Sequence, residues 1–323
     1  MNPFPYSMDH KRYHTWNYHL RKHFGHKVFK ISLDGGFDCP NRDGTVAYGG
    51  CTFCSAAGSG DFAGNRAEPL EVQFQKIKKQ MHKKWKDGKY IAYFQAFTNT
   101  HAPVHVLREK YETVLKQEGV VGLSIATRPD CLPDDVVEYL AELNERTYLW
   151  VELGLQTVHE KTANMINRAH DFACYVEGVE KLHKHNIRVC SHIINGLPGE
   201  TPEMMMETTK AVADLNVEGI KIHLLHLLKG TPMVKQYEKG LLQFLSFDEY
   251  VQIVCDQLEI LPPEMVVHRI TGDGPIDLMI GPMWSVNKWE VLNAIDQELE
   301  RRNSWQGKYY QPAHKKGTKA YGN

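Results

Sequence analysis

Three of the chain's cysteines crowd into one short segment, CPNRDGTVAYGGCTFC, as Cys39, Cys51 and Cys54. Two thiolates separated by two residues can grip one metal or cluster, because the intervening turn brings both sulfurs to one side. Gly49 and Gly50 permit the tight backbone this requires. The third thiolate arrives from the far end of an eleven-residue gap. Structural zinc normally takes four ligands, and electron-transfer clusters take four cysteines. Three is the local count here. A [4Fe–4S] cluster on three thiolates keeps one iron open. That iron can bind the amino and carboxylate groups of S-adenosylmethionine (SAM), whose sulfonium then accepts an electron and yields a 5′-deoxyadenosyl radical. The competing reading is a zinc loop with a histidine, such as His23 or His26, as fourth ligand.

Such a loop needs a scaffold. Apolar, β-rich runs recur at 26–33, 90–96, 121–126, 148–155, 187–194 and 219–225. Helical patterns lie between them at 66–87, 104–118, 133–144, 159–184 (interrupted) and 201–216. Strand and helix alternating at this spacing predict parallel βαβ units. Six repeats predict an α/β fold, a partial (β/α)6 TIM-like barrel, with chemistry at the C-terminal strand ends. The notable residues fall there: Cys39, Gln95 and Asn99, Thr127 and Arg128, Glu152 and Gln156, Asn195 and Gly196, His226 and Lys229. Glu152 and Gln156 lie four apart, so a regular strand points both to one face. From about residue 245 the pattern changes to a helix (247–260), Pro262-Pro263, a short strand (265–270), TGDGP and a last helix (286–301). The expected organisation is a basic segment (1–25), the cluster-bearing barrel (26–244), a C-terminal extension (245–302) and a polar tail (303–323).

The 323 residues have ordinary globular composition and a formal net charge of −1. No run approaches the roughly 18 apolar residues of a membrane helix, and the N-terminus lacks a secretory signal pattern. A cytoplasmic protein is expected, with no membrane partner. There, clustered cysteines signal metal or catalysis rather than disulfides. Cys131, Cys174, Cys190 and Cys255 stand alone and read as buried, inert thiols. The charge is unevenly spread. Lys11, Arg12, Arg21, Lys22, Lys27 and Lys30 face only Asp9 in the first thirty residues. Lys76, Lys78, Lys79, Lys83, Lys84, Lys86 and Lys89 face only Asp87, and Lys308, Lys315, Lys316 and Lys319 lie in the tail. These stretches are either a phosphate-binding face or solvated helix surfaces.

With these motifs in place, the sequence resembles the radical SAM superfamily over about residues 15–300. Within it the sequence resembles the branch near the radical domain of the Elongator catalytic subunit and the oxygen-independent coproporphyrinogen oxidases, and more closely the YtqA/YhcC-type proteins. IATRPD (125–130) is similar to the TRPD of Elongator-like enzymes, placing Thr127 and Arg128 at the rim. WVELGLQT (150–157) resembles the fourth-strand motif whose acidic residue approaches the SAM ribose, which implicates Glu152 and Gln156. NRAH (167–170) resembles the segment whose arginine holds the methionine moiety, here Arg168. INGLPGET (194–201) resembles the fifth-strand exit, with Asn195, Gly196 and Gly199 near adenine. IKIHLLHLLKGTPM (220–233) resembles the strand exit that closes over SAM, with His226 and Lys229 as contacts. The superfamily's CxxxCxxC is stretched to a first gap of eleven, and its GGE is replaced by YFQAFTNT. Gln95 and Asn99 would therefore meet the SAM ammonium.

The resemblance implies a [4Fe–4S] cluster, SAM, and a flavodoxin- or ferredoxin-type electron donor. It also suggests tRNA as substrate, with modification of the wobble-uridine 5-side chain: 5-carboxymethylaminomethyl(-2-thio)uridine to 5-aminomethyl(-2-thio)uridine. A downstream tRNA methyltransferase would finish the side chain. Arg128, His226, Lys229, Arg269 and Lys288 are candidates to pair with carboxylate or phosphate. Two other classes stand beside this one: a radical enzyme on a small porphyrin-like acid, and a non-catalytic zinc or RNA-binding protein.

Overall fold

The computed structural model describes residues 2–83 and 88–312. In chain order the elements are α1 (Trp16–Phe24), β1 (Val28–Leu33), α2 (Leu70–His82), β2 (Lys89–Phe94), α3 (Val104–Leu115), β3 (Val120–Thr127), α4 (Asp134–Arg146) and β4 (Tyr148–Gln156). Then come α5 (Glu160–Met165), α6 (Phe172–His183), β5 (Arg188–Asn195), α7 (Pro202–Asp214), β6 (Gly219–Leu224), β7 (Leu227–Leu228) and α8 (Val234–Glu238). The chain finishes with α9 (Phe247–Ile260), β8 (Val266–Arg269), β9 (Met279–Gly281) and α10 (Lys288–Arg301). All six expected strands are present within a few residues.

The sheet order is β1-β2-β3-β4-β5-β6-β8, and every pairing is parallel. The sheet thus has seven strands rather than six, because the short strand expected in the C-terminal extension joins the barrel beside β6. A flat sheet of seven strands would hold its two edges roughly 29 Å apart. Here Lys30 Nζ of β1 comes within 3.5 Å of His268 Nδ1 of β8, so the sheet is curled into a partial barrel. The gap between the edges is closed by the N-terminal segment. Thr15 bridges Val267, and the Trp16 ring packs 3.9 Å from that of His268.

Alternation along the strands makes two environments. One set of side chains, including Leu33, Phe94, Leu123, Val151, Val189 and Ile220, packs outward under the helices into the main core. At the N-terminal end of the barrel Leu20, Val28, Ile91, Tyr148, Trp150, Cys190 and Val266 form a plug beneath α1, a helix the sequence pattern did not reveal. The expected polar tail also behaves otherwise up to residue 312. Ser304 and Gln306 are fully buried, and the Gln306 amide donates to the Pro262 and Met265 carbonyls at 2.6 and 2.9 Å. A side-chain amide satisfying several backbone groups is what pins this segment. Lys315, Lys316 and Lys319 lie outside the described residues, as do Lys84, Lys86 and Asp87.

Candidate active site at the barrel mouth

The loop after β1 is built around its cysteines. Asp38 caps the Cys39 amide at 2.8 Å, and the Arg42 amide donates to the Cys39 carbonyl at 2.7 Å. The Cys54 amide donates to the Cys51 carbonyl at 3.0 Å, closing the turn that aligns this pair. Gly49 and Gly50 both take positive φ, 85° and 74°. At Gly50 a Cβ would sit 2.7 Å from Arg42 Nε, so a side chain there is excluded both by conformation and by space. The Arg42 guanidinium donates to the Ser55 carbonyl at 2.7 Å, tying the two ends of the loop. Asn167 braces it from α5, donating to Gly50 O at 2.8 Å and Tyr48 O at 3.1 Å.

Cys39, Cys51 and Cys54 all line one cavity of about 970 Å³ at the C-terminal ends of the strands. Two neutral polar groups address the sulfurs: Asn41 Nδ2 lies 3.6 Å from Cys51 Sγ, and Ser59 Oγ lies 3.6 Å from Cys54 Sγ. Bonds to thiolate sulfur are the usual means of tuning a cluster. His23 packs against Phe24 and Tyr148 at the other end of the barrel, and His26 bonds the Phe24 carbonyl. Neither lines the cavity, so neither is placed as a fourth ligand. Among the described residues no three His, Cys, Asp or Glu side chains gather closely enough around one point to hold a single ion. Three thiols sharing a roomy cavity, with donors to their sulfurs, fit a larger cluster. Replacing Asn41 with leucine is expected to lower iron retention or turnover by about 10- to 100-fold, measured as iron per chain after anaerobic gel filtration.

Beneath the cavity lies an ionic network that sequence reasoning missed. Glu152 is completely buried. Its Oε1 accepts from Lys30 Nζ at 2.5 Å and from Ser124; its Oε2 accepts from Lys221 and pairs with His192 Nε2 at 2.8 Å. Burial pushes the Glu152 carboxyl up, but Lys221, Lys30 and His192 together outweigh it and hold the group well below the usual range. Burial brings Lys221 down to about 8 and His192 down to about 4. Lys221 also donates to Tyr93 Oη at 3.0 Å. The signal was present as a period of two: Lys30 and Ser32, Glu152 and Gly154, Lys221 and His223, with His192 on β5, put polar or small residues on the barrel's inner face. Glu152→Gln leaves two buried ammonium groups without a carboxylate. We expect a loss of about 3–5 kcal/mol, read from the urea midpoint.

The other expected contacts divide. Gln95, Thr127, Arg128, Glu152, Gln156, His226 and Arg269 line the cavity. Gln95 Nε2 donates to Ser59 O at 2.9 Å. Arg128 pairs with Asp130 at 2.6 Å and donates to the Arg168 carbonyl at 2.8 Å. Gln156 does not continue a regular strand; its φ is 62° and the β4–β5 register shifts there, so the same-face argument for Glu152 and Gln156 fails at a bulge. His226 is brought down to about 4 by burial, beside Gly272 and Gly274.

Four expected contacts are spent on the scaffold, and two cations lie off the cavity. Asn99 is buried and its amide bonds the Phe94 and Ala126 carbonyls, tying β2 to β3. Arg168 is fully buried and donates to the carbonyls of His170, Leu155 and Thr157, with Glu160 at 3.6 Å. A guanidinium with several donors is a natural brace for a bulged strand end whose carbonyls lack ladder partners. Asn195 exchanges two hydrogen bonds with Gln257 of α9, at 2.8 and 2.9 Å. Gly196 takes φ 85° beneath Leu245 and does not line the cavity. Lys229 bonds the Asp277 carbonyl on the exposed β7–β9 flap, and Lys288 pairs with Asp273 at 2.8 Å. Truncating Asn195 to alanine is therefore expected to cost about 1–3 kcal/mol of stability by stranding Gln257, measured by denaturant unfolding.

Of the solitary thiols, Cys131, Cys190 and Cys255 are buried and Cys174 is half-buried. Burial pushes all four up, Cys174 to about 11 and Cys255 to about 12. In the basic stretches, Lys76 pairs with Glu68, and Lys78 with Glu118 at 3.3 Å.

Comparison with known proteins agrees with this architecture. The sequence model of the Radical SAM superfamily matches residues 41–212, and that of the Radical_SAM C-terminal domain matches residues 217–301. The chain is 82% identical over 310 residues to the protein YtqA of Bacillus subtilis, covering 96% of each. It is 41% identical over 284 residues to the protein YhcC of Escherichia coli, covering 87% of this chain and 90% of YhcC. A shorter match, 23% identity over 175 residues, covers 53% of this chain and 32% of the tRNA uridine(34) acetyltransferase of Methanocaldococcus jannaschii. The solved structure of Methanocaldococcus infernus Elp3 with an N-terminal deletion superposes with a TM-score of 0.65 at 15% identity. That match covers 86% of this chain and 64% of Elp3, and it shows the fold alone. No helix among the described residues is long and apolar enough to cross a membrane. Radical SAM proteins bind a [4Fe–4S] cluster and SAM, and the cysteine loop over this curled sheet fits that pair of cofactors. The chain belongs to the radical SAM superfamily.

Proposed function

We propose that this protein is a tRNA-modifying radical SAM enzyme acting on the wobble-uridine 5-side chain. The reaction is conversion of 5-carboxymethylaminomethyl(-2-thio)uridine to 5-aminomethyl(-2-thio)uridine. Cys39, Cys51 and Cys54 would hold the cluster, and the bound cofactors supply a 5′-deoxyadenosyl radical. Gln95, Gln156, Glu152 and Arg128 line the cavity where SAM must fit. The barrel walls exclude water from the radical, which is the protein's main service to such chemistry. Hydrogen would be abstracted from the N–CH2 carbon of the substrate's carboxymethyl group; loss of one further electron would give an imine, and its hydrolysis would release the aminomethyl nucleoside and glyoxylate, with SAM as the two-electron oxidant. The carrying observation is that one cavity joins the cysteine loop to a wall that carries Arg269 of β8 and the imidazoles of His192 on β5 and His223 on β6, suited to an acidic substrate. The partial likeness to a tRNA uridine(34) acetyltransferase supports tRNA as the class. A flavodoxin- or ferredoxin-type donor would reduce the enzyme, and a tRNA methyltransferase would act on its product.

The test is mass spectrometry of tRNA nucleosides from a strain lacking the gene. Accumulation of the carboxymethylaminomethyl nucleoside is expected, with loss of the aminomethyl forms. Nucleosides identical to those of the parent would refute the tRNA reading.

A further inference from the structure

Two carboxylates that line the cavity, Glu152 of β4 and Asp273 after β8, each sit between two cations. Glu152 is shared by Lys30 and Lys221. Asp273 is likewise shared, by Arg269 at 3.1 Å and Lys288 at 2.8 Å. Of these four cations Arg269 lines the cavity, Lys30 and Lys221 lie beneath its lining, and Lys288 lies off it. Asp61, which accepts from Ser55 at 2.9 Å, and the exposed Asp277 also line the cavity. Two ammonium groups in a low-dielectric barrel with one carboxylate between them are unfavourable unless another anion approaches.

Arg269 is the member of this group that lines the cavity, and its side chain is 34% exposed. Its guanidinium pairs with Asp273, which lines the same cavity. A second observation points the same way. His223 also lines the cavity and is half-buried, yet its buried Nε2 has no hydrogen-bond partner. Buried polar nitrogens without partners are uncommon in folded proteins.

We propose that Arg269, with His223 beside it, forms a carboxylate subsite that grips the acidic group of the substrate, and that Lys30 and Lys221 supply the supporting field from below. The planar fork of arginine suits a carboxylate. This deepens the functional reading above and rests on it for the identity of the substrate. It assigns the specificity for an acid to the last strand of the sheet. That leaves the cysteine side of the cavity for the cofactors. Asp273 acts as the resident placeholder that the substrate's carboxylate competes with.

The experiment uses the anaerobically reconstituted full chain and tRNA from the deletion strain, as the free acid and after conversion of its carboxyl group to the methylamide. Wild type is expected to prefer the acid. Arg269→Gln raises KM for the acid by about tenfold or more, leaves KM for the amide where it was, and so erases the preference. Arg269→Lys retains part of it. Asp273→Asn, which frees Arg269, lowers KM for the acid. A rise in KM for SAM in step, or equal effects on acid and amide, would overturn the proposal. A second readout does not depend on tRNA: the melting temperature of the SAM-loaded protein with sarcosine or its amide. Sarcosine should raise it in wild type and in Asp273→Asn but not in Arg269→Gln. No sarcosine effect in wild type or in Asp273→Asn overturns the subsite. A sarcosine effect without turnover of the tRNA overturns only the tRNA reading.

Discussion

Replacing any one of Cys39, Cys51 and Cys54 with alanine is expected to reduce 5′-deoxyadenosine formation to the background of the iron-free protein. Each sulfur would be one of three points of attachment, and among the described residues no spare thiol is at hand to take its place. The remaining cysteines are held as neutral thiols: Cys190 and Cys255 lie in the core and Cys131 under the Arg128–Asp130 pair. A cluster needs thiolates, so these three cannot substitute without unfolding the barrel. The measurement is iron and sulfide per chain after reconstitution, beside chromatographic detection of 5′-deoxyadenosine with dithionite as reductant. The control is Cys174→Ser, on a half-buried surface of α6, which should keep both. Retention of full cleavage by any of the three alanine variants would remove the basis of the assignment.

The second large effect is acid lability beginning well above the carboxylate range. His19 bonds the Tyr148 hydroxyl at 2.6 Å beneath the barrel, His192 lies against Glu152 inside it, and His226 packs at the mouth beside Gly272. Burial brings each of the three from 6.5 down to about 4. The folded protein therefore refuses protons that the unfolded chain accepts. Their contribution is neutral above pH 6.5 and increasingly unfavourable to the fold as pH drops from 6.5 toward 4. At pH 4 each costs on the order of 3 kcal/mol, and together they rival the roughly 5–15 kcal/mol that holds a domain folded. His14, His23, His223 and His268 shift in the same direction, again chiefly through burial. The urea midpoint should fall steeply between pH 7 and pH 5, and His19→Gln should flatten that slope. An unchanged midpoint over this interval would contradict the assignment of these rings as buried and neutral.

These histidines show where reading the chain stopped short. They carry no ligand spacing, so in sequence they look like scattered surface residues. Only the curl of the sheet reveals that His192, His223 and His268 sit on neighbouring strands facing one interior. The same holds for Lys30, read as part of a basic surface stretch and found as the partner of a carboxylate 122 positions away.

What the sequence determined by itself is local: the three-cysteine loop with its two glycines, the alternation of strand and helix, and the placement of chemistry at strand ends. Those depend on spacing, backbone freedom and hydrophobic period, which are properties of short segments. Which polar residues reach the cavity was decided only in three dimensions. Asn99 and Asn195 stand at the right strand ends and Arg168 in the turn after α5, yet each turns to satisfy backbone carbonyls or a neighbouring amide. The seventh strand, too, belongs to the barrel because closure brings β8 to β6 and to the N-terminal segment. A four-residue strand cannot announce that until its partners are in place, since strand pairing is a contact between distant parts of the chain.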